Sequence, residues 1–263
     1  MRMPPRMQHP KAKKSLGQHF LHQRFVAERI VQLLEVGPQD RVLEIGPGSG
    51  ALSGLLKAAK PACLLLVEKD GYWAAERHAA GDGQVVLMDA MHFAWNRITP
   101  EHPWKIIGNL PYNVASPLLW DIASQAGGLQ RAVCMLQKEV ALRVIAPPDT
   151  KNYGALSVWL QSFLQPQLIF TVGAGAFTPP PKVDSAVVLF VPLPLAQRAQ
   201  QPGRLASLLK ICFQNRRKQL QSIFRLHSKE YALPILQELD INPKSRPEHL
   251  APELFQKLSL RLY

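Results

Sequence analysis

Hydrophobic residues recur with two different spacings over the first three quarters of the chain. A helical spacing over residues 25–36 ends at Gly37-Pro38, and a second predicted helix covers residues 51–59. Short runs rich in β-branched and other apolar residues alternate with such helical segments. The predicted strands are residues 41–45, 64–67, 84–87, 104–107, 131–136 and 185–191. This order predicts an α/β fold with a mostly parallel sheet and helices on both faces.

The pattern changes near residue 196. A loop rich in Pro, Gln and Gly covers residues 192–203, and beyond it β-branched residues become rare while the apolar residues keep helical spacing. Those apolar residues are Leu205, Leu208, Leu209, Cys212 and Leu220. We therefore expect two domains. The larger covers residues 1–195, with a basic N-terminal segment at 1–24, and a small all-helical one covers residues 196–263.

Charge is distributed unevenly along the chain. Lys and Arg number 31 against 19 Asp and Glu, which gives a formal net charge of +12. Residues 1–24 hold six basic side chains and no acidic one, residues 25–195 are close to neutral, and residues 196–263 hold 12 basic and five acidic side chains. Basic ends on a neutral body are typical of a protein that binds a polyanion such as nucleic acid. The alternative is a basic surface that serves only solubility.

Composition disfavours several other classes of protein. With 47% hydrophobic residues over 263 positions the chain can bury a full core, unlike a disordered or collagen-like chain. The three cysteines stand far apart and the eight histidines lack zinc-binding spacing, so we expect neither a disulfide nor a metal site. No apolar signal segment follows the N-terminal arginines, and the apolar stretch at residues 61–67 is too short to span a membrane. We therefore expect a soluble cytoplasmic protein.

A glycine loop, Glu44-Ile45-Gly46-Pro47-Gly48-Ser49-Gly50, lies between a predicted strand and the helix that follows it. Glycines at alternate positions let the backbone approach a ligand, and the helix N-terminus offers free N–H groups. At the end of the next strand, Glu68 stands where a carboxylate accepts from ribose hydroxyls. Because Gly46, Gly48 and Ala51 also satisfy the dinucleotide fingerprint, these residues leave open an NAD-type cofactor, another nucleoside cofactor and a purely structural turn.

A second acid, Asp89, ends the third predicted strand. An ionised carboxylate only accepts hydrogen bonds, so it suits the exocyclic amine of an adenine ring. The alternative is an N-cap of the following helix, which is the commoner role for an Asp after a strand.

The segment Asn109-Leu110-Pro111-Tyr112, called here the NLPY tetrad, follows the fourth predicted strand. Methylation of a base amine requires acceptors aimed at the exocyclic nitrogen, so that its lone pair turns toward an electrophilic methyl. The Asn109 side-chain oxygen and the Leu110 carbonyl suit this role, because Pro111 fixes the local backbone and has no N–H. Tyr112 can stack on the base. The alternative is a turn with a packed tyrosine.

Taken in order, the glycine loop, Glu68, Asp89 and the NLPY tetrad resemble the motifs of class I S-adenosylmethionine-dependent methyltransferases of the N6-adenine type. Further segments resemble the ribosomal RNA adenine dimethyltransferases, so the similarity covers nearly the whole chain. These segments are residues 15–21, 109–119, 135–140 with Arg143, 153–158 and 177–185. Residues 213–220 are similar to the C-terminal basic helix of the members of the family that act on 16S rRNA.

The resemblance implies a Rossmann-like catalytic domain that uses S-adenosylmethionine. It implies cofactor contacts at His19, Leu21, Gly46, Gly48, Gly50, Glu68, Asp89 and Asn109. Asn109, Leu110, Pro111 and Tyr112 would hold the target adenine. Phe177 is a candidate second wall that encloses the base, stiffened by the prolines at 179–181, and the alternative is that these prolines form only a rigid entry into a strand. Many relatives carry Asn at the position of His19. Both side chains donate a hydrogen bond, so we expect cofactor binding to persist, and the imidazole adds a group that titrates near neutrality.

The implied reaction is dimethylation of two adjacent adenosines in the 3′-terminal hairpin of 16S rRNA, by a monomer that acts on the assembling small ribosomal subunit. We expect phosphate contacts from Lys11, Lys13, Lys14, Arg216, Arg217 and Lys218. The last three also fit a solvated helix face. Two other functions remain open, namely adenine methylation of 23S rRNA of the antibiotic-resistance type and a non-enzymatic RNA-binding assembly factor. An NAD-dependent dehydrogenase remains open only if the NLPY tetrad is structural.

Overall fold

The computed structural model describes residues 17–227, 229 and 231–262, and this part of the chain forms nine strands and ten α-helices. The strands are β1 (Phe20–Leu21), β2 (Arg41–Ile45), β3 (Cys63–Glu68), β4 (Gln84–Leu87), β5 (Trp104–Asn109), β6 (Leu129–Gln137), β7 (Leu164–Val172), β8 (Phe177–Thr178) and β9 (Ser185–Pro192). The helices are α1 (Arg24–Leu34), α2 (Ser53–Ala58), α3 (Gly71–Ala79), α4 (Ala115–Gln125), α5 (Lys138–Val144), α6 (Ala155–Gln161), α7 (Pro202–Gln214), α8 (Leu220–Leu226), α9 (Ala232–Glu238) and α10 (Pro252–Leu262).

Seven strands form one sheet in the order β4-β3-β2-β5-β6-β9-β7. The five from β4 to β6 are parallel, and β9 runs antiparallel to both of its neighbours. The predicted α/β class and all six predicted strands are thereby confirmed. The direction of chain progression reverses between β2 and β5, and open α/β sheets bind ligands at the carboxyl ends of the strands at such a point.

The strand β7 was not predicted, and its sequence explains why. Leu164 to Val172 contains Pro166 and two glutamines, which disfavour a central strand. The structure places β7 at the edge of the sheet, where a strand tolerates a proline because one side needs no hydrogen-bond donors. The pairing with β9 is irregular between Leu168 and Phe170. Position in the sheet, which local pattern does not specify, makes this segment a strand.

Each face of the sheet packs against its own set of helices. Alternating side chains of β2 and β5 belong to two apolar clusters, with Val42 and Ile107 in one and Leu43 and Ile106 in the other. The first cluster includes the buried faces of α1 and α2, and the second includes those of α4, α5 and α6. Period-two alternation therefore gives the three-layer arrangement that the sequence predicts.

A separate two-stranded pair holds the N-terminal segment over the carboxyl ends of the sheet strands. β1 pairs antiparallel with β8, so that Leu21 lies opposite Phe177 and Phe20 opposite Thr178. His22 N also donates to the carbonyl of Ala176 at 3.0 Å. This pairing brings the residues before α1 next to the segment that precedes β9.

The C-terminal region is helical, as predicted. The buried side of α7 carries Leu205, Leu208, Leu209 and Cys212, and these residues belong to the same apolar cluster as α4, α5 and α6. The division at residue 196 stays a prediction. The prediction of a basic helix over residues 213–220 is wrong, because α7 ends at Gln214 and α8 begins at Leu220. The basic residues lie in the turn between these helices, where Lys218 N donates to the carbonyl of Asn215 at 2.8 Å.

Candidate active site

The glycine loop connects β2 to the helix α2 and takes a backbone shape that requires glycine. Gly46 and Gly48 have φ angles of +64° and +50°, in the left-handed region. Gly46 has open space where a Cβ would stand. At Gly50, in contrast, a Cβ would lie 1.9 Å from Arg77 Nη1 of α3. Gly46 and Gly48 line a cavity beside the loop, whereas Gly50 is placed against protein.

Two buried glutamates lie beneath this loop. Glu68, at the end of β3, accepts from Gly48 N at 3.0 Å through Oε2 and from Asp70 N at 2.8 Å through Oε1. Glu44, in β2, accepts from the Ser53 hydroxyl at 2.7 Å. Burial raises the pKa of Glu44 to about 8 and also raises the pKa of Glu68. Both carboxylates line the cavity.

Asp89 is held by two hydrogen bonds just after β4. Its Oδ1 accepts from Met91 N at 3.0 Å and caps a short 3₁₀ turn, which is the structural alternative. Its Oδ2 accepts from Lys69 Nζ at 2.7 Å, and this hydrogen bond lowers the pKa of Asp89. Asp89 also lines the cavity. The carboxylate is therefore fixed, charged and open to a ligand.

The orientation of the Asn109 amide follows from one contact. Its Nδ2 donates to the main-chain carbonyl of His19 at 2.9 Å. A carbonyl can only accept, so this contact identifies the nitrogen end of the amide and leaves Oδ1 as its acceptor end. Leu110 N donates to the carbonyl of Met135, and the carbonyl of Pro111 accepts from Val114 N and Ala115 N, where α4 begins. The NLPY tetrad is thus a fixed turn from β5 into α4.

Tyr112 is held at both ends of its side chain. Its hydroxyl and that of Ser185 are 2.7 Å apart, and Ser185 is fully buried at the start of β9. Its ring stacks on the imidazole of His19, with the ring centroids 5.6 Å apart and the planes 27° from parallel. His19 Nδ1 in turn donates to the carbonyl of Pro179 at 2.8 Å. The tyrosine, the histidine and the segment 177–185 are therefore connected.

These elements surround one cavity with an open volume of about 1130 Å³, part of which opens to solvent. Its lining includes ten of the predicted site residues, namely His19, Leu21, Gly46, Gly48, Glu68, Asp89, Asn109, Leu110, Pro111 and Tyr112. Because parallel strands end at the same edge of the sheet, residues that follow β2, β3, β4 and β5 meet there. The structure brings together segments that are more than 90 residues apart in sequence, since His19 and Tyr112 both line the cavity.

Gly50 and Phe177 lie outside this lining. The side chain of Phe177 is 2% exposed and belongs to the apolar cluster that includes Leu21 and α1. Along β8 the next residue, Thr178, is exposed. Alternation along the strand therefore turns Phe177 into the core, and the structure does not place its ring opposite Tyr112.

The predicted RNA contacts fall into three groups. Lys11, Lys13 and Lys14 lie outside the described residues. Arg216 is used within the protein, since its Nε donates to Glu248 at 2.6 Å and its Nη2 donates to the carbonyls of Thr150 and Lys151. Arg217 and Lys218 are exposed.

Sequence reasoning missed Glu44 and Ser185 as site residues. A signal for Glu44 was present, because an acid inside the apolar run of β2 needs a polar partner when it is buried. Ser185 offered no local signal, since its contact with Tyr112 crosses 73 positions.

Candidate metal clusters and membrane-spanning helices are both absent from the described part of the chain. No cluster of three or more His, Cys, Asp or Glu side chains there is arranged to hold a metal ion. None of its helices combines the length and apolar character needed to cross a bilayer.

Comparisons with known proteins agree with this site. A family model described as Ribosomal RNA adenine dimethylase matches residues 9–262. A relative from Nitratidesulfovibrio vulgaris (strain DP4), Ribosomal RNA small subunit methyltransferase A, is 56% identical over 251 residues, which cover 94% of each chain. The crystal structure of a dimethyladenosine transferase from Plasmodium falciparum has a TM-score of 0.80 and 27% identity, and covers 92% of this chain and 97% of that one. The crystal structure of the 23S rRNA methyltransferase ErmE has a TM-score of 0.66 and 24% identity over 92% and 99% of the two chains, a likeness of fold. The match over nearly the entire length, together with the ordered site motifs, shows that this chain belongs to the ribosomal RNA adenine dimethylase family.

Proposed function

We propose that this protein transfers methyl groups from S-adenosylmethionine to N6 of two adjacent adenosines in the 3′-terminal hairpin of 16S rRNA, and dimethylates each. The observation that carries the proposal is the Asn109 amide, whose nitrogen is engaged by His19 and whose oxygen is the acceptor end in a cavity wall. An acceptor at this place can orient an exocyclic amine.

The small-subunit substrate is favoured over the large-subunit one by the relatives. Curated relatives at 45–56% identity over nearly the full chain carry the name Ribosomal RNA small subunit methyltransferase A. The similarity to the 23S enzyme ErmE concerns the fold at 24% identity and does not bear on the substrate.

The residues that line the cavity fit S-adenosylmethionine. The open space at Gly46 admits a ligand against the backbone, and Glu68 offers carboxylate oxygens to ribose hydroxyls. Asp89, held ionised beside Lys69, suits the adenine amine as an acceptor. Leu21 supplies apolar wall. When bound, the cofactor supplies an electrophilic sulfonium methyl group.

The protein itself then acts mainly by orientation. Asn109 Oδ1 and the Leu110 carbonyl accept from the target amine, and Tyr112 stacks on the purine. By holding the target amine in one orientation, these residues would supply several kcal/mol of the barrier as effective molarity. The amine proton becomes acidic once the nitrogen is alkylated, so no strong general base is needed. For Phe177 to serve as a second wall, its ring must leave the core when RNA binds.

Binding of the RNA is assigned to both ends of the chain. The proposed phosphate contacts are Lys11, Lys13, Lys14, Arg217 and Lys218. Extrusion of the target base from its stack costs a few kcal/mol, and these contacts to the RNA backbone offset that cost. The helical region from residue 196 is proposed as the RNA-binding domain of a monomeric, cytoplasmic enzyme that acts on assembling small subunits.

The proposal is tested in two parallel reactions. Each contains the protein and labelled S-adenosylmethionine, and one contains small and the other large ribosomal subunits that lack these methyl groups. We expect dimethyladenosine in the small-subunit RNA, identified by mass spectrometry. Label in 23S rRNA alone would support the large-subunit alternative. Absence of S-adenosylmethionine binding by calorimetry, with RNA binding retained, would support a non-enzymatic assembly factor.

A further inference from the structure

We infer that the side chain of His19 is a positioning residue for Tyr112, the ring on which the target base stacks. This inference rests on the proposed function. It gives the imidazole a role toward the target base, whereas the family resemblance implies a cofactor contact at this position.

The ring of His19 has both a fixed orientation and a defined neighbour. Nδ1 lies 2.8 Å from the carbonyl oxygen of Pro179, so that nitrogen carries the hydrogen. The imidazole then lies 5.6 Å from the ring of Tyr112 at 27°, within the range for offset aromatic stacking. One atom of the imidazole is thus used by Pro179 and one face by Tyr112.

The hydroxyl of Tyr112 is held from the same segment. Ser185 lies six residues after Pro179, is fully buried, and has its Oγ 2.7 Å from the tyrosine hydroxyl. The segment 177–185 therefore fixes Tyr112 twice, directly at its hydroxyl through Ser185 and indirectly at its ring through His19. A ring held at both ends keeps one plane, and that plane sets where a stacked purine presents its amine.

The main chain of His19 has a different task from its side chain. Its carbonyl accepts from Asn109 Nδ2 at 2.9 Å. Replacement of the side chain removes the contacts to Pro179 and Tyr112 but keeps a carbonyl for Asn109. Substitution at position 19 therefore separates the orientation of the base from the orientation of the Asn109 amide.

The experiment compares His19→Ala, His19→Asn, Ser185→Ala and, as a matched control, His22→Ala, an exposed histidine of the same segment. Calorimetry gives the dissociation constant of S-adenosylmethionine, and single-turnover methylation of undermethylated small subunits gives the transfer rate. Loss of the stack should slow transfer by H19A about 10-fold while the cofactor dissociation constant changes less than about twofold.

The two other variants test the geometry. An Asn at position 19 restores a donor toward Pro179 without a ring, so H19N should transfer faster than H19A and slower than the parent. S185A should slow transfer without weakening cofactor binding. In the double variant H19A/S185A the fold loss in transfer rate should be smaller than the product of the two single losses, because both residues hold the same ring.

Several outcomes would overturn the inference. One is a rise in the cofactor dissociation constant of H19A as large as its loss in rate, and another is a transfer rate for H19A equal to that of H22A. Should H19A fail to fold, as seen by loss of a cooperative melt, H19N and S185A decide by the same comparison. A parent protein that makes no dimethyladenosine would instead overturn the proposed function itself.

Discussion

The side-chain nitrogen of Asn109 donates to the main-chain oxygen of His19 at 2.9 Å, across 90 positions of sequence. This contact joins the end of β5 to the segment before β1, and it distinguishes the donor end of the amide from its acceptor end. The chemistry proposed for the NLPY tetrad depends on this orientation, because the oxygen is the only atom of the amide that can accept from the amine of an adenine.

Substitution of Asn109 tests the orientation directly. Asn109→Ala removes the acceptor, whereas Asn109→Asp keeps oxygens but places one against the His19 carbonyl, where two acceptors repel. Both variants should lower the single-turnover methyl-transfer rate by about 100-fold or more, since a small misplacement of the reacting nitrogen is costly. RNA affinity, measured by filter binding, should stay within about threefold of the parent. Near-parental transfer by either variant would contradict the role of the amide.

Replacement of Gly46 tests the cofactor site. Gly46 has φ +64° and open space where a Cβ would stand, so Gly46→Ala places a methyl beside the cavity in a backbone region that costs about 1–2 kcal/mol. Calorimetry should show the S-adenosylmethionine dissociation constant raised at least about 10-fold, beyond what the change in stability explains. Gly54→Ala is the matched control, since Gly54 also has open space but lies in α2 without a positive φ. Equal cofactor binding by the two variants would exclude Gly46 from the site.

The buried carboxyl of Glu44 should make stability depend on pH. Burial raises its pKa from 4.5 to about 8 in the folded chain, so between these values the unfolded chain has released a proton that the folded chain retains. Stability therefore falls as pH rises through this window. Glu44→Gln should remove that dependence, so that near pH 8 the free energy of unfolding of the variant exceeds that of the parent by up to a few kcal/mol.

Denaturant unfolding of the cofactor-free proteins at pH 5 and at pH 8 measures this effect. Glu139→Gln serves as the control, because the side chain of Glu139 is 70% exposed. This variant should alter the dependence of stability on pH far less. If the free energy of unfolding changed between pH 5 and pH 8 by the same amount in the parent and in E44Q, a raised pKa of Glu44 would be ruled out.

Neighbouring arginines after α7 should have different effects. Arg216 donates to Glu248 and to two main-chain carbonyls, so Arg216→Ala should destabilise the fold by about 1–3 kcal/mol. Arg217 is exposed, so Arg217→Ala should change stability by less than about 0.5 kcal/mol. Arg217→Ala should also reduce the slope of log RNA affinity against log salt by about one. Thermal melts and salt titrations separate the two effects, and a destabilised R217A with an unchanged salt slope would contradict the assignment.

The extent of the sheet shows where local pattern suffices. Strands β2 to β6 were predictable because each is a short apolar run between turn signals, and β9 because it is a long apolar run after prolines. β7 was missed because Pro166 and its glutamines suit only an edge, and no residue in the segment records its place in the sheet. The predicted basic helix at 213–220 failed for a related reason, since Arg216 lies in the turn after α7 and donates to Glu248, Thr150 and Lys151, which are distant in sequence.

The sequence alone determined the fold class and which residue types stand at the strand ends, because hydrophobic periodicity is local and the carboxyl ends of parallel strands share one edge. Gly46, Glu68, Asp89 and Asn109 could be placed together on that ground. The tertiary structure decided that the nitrogen of the Asn109 amide donates to His19, that Ser185 holds Tyr112, that Phe177 is buried in the core and that Arg216 is used inside the protein. These are contacts between segments far apart in the chain, and they depend on packing distances and directions that no local spacing encodes.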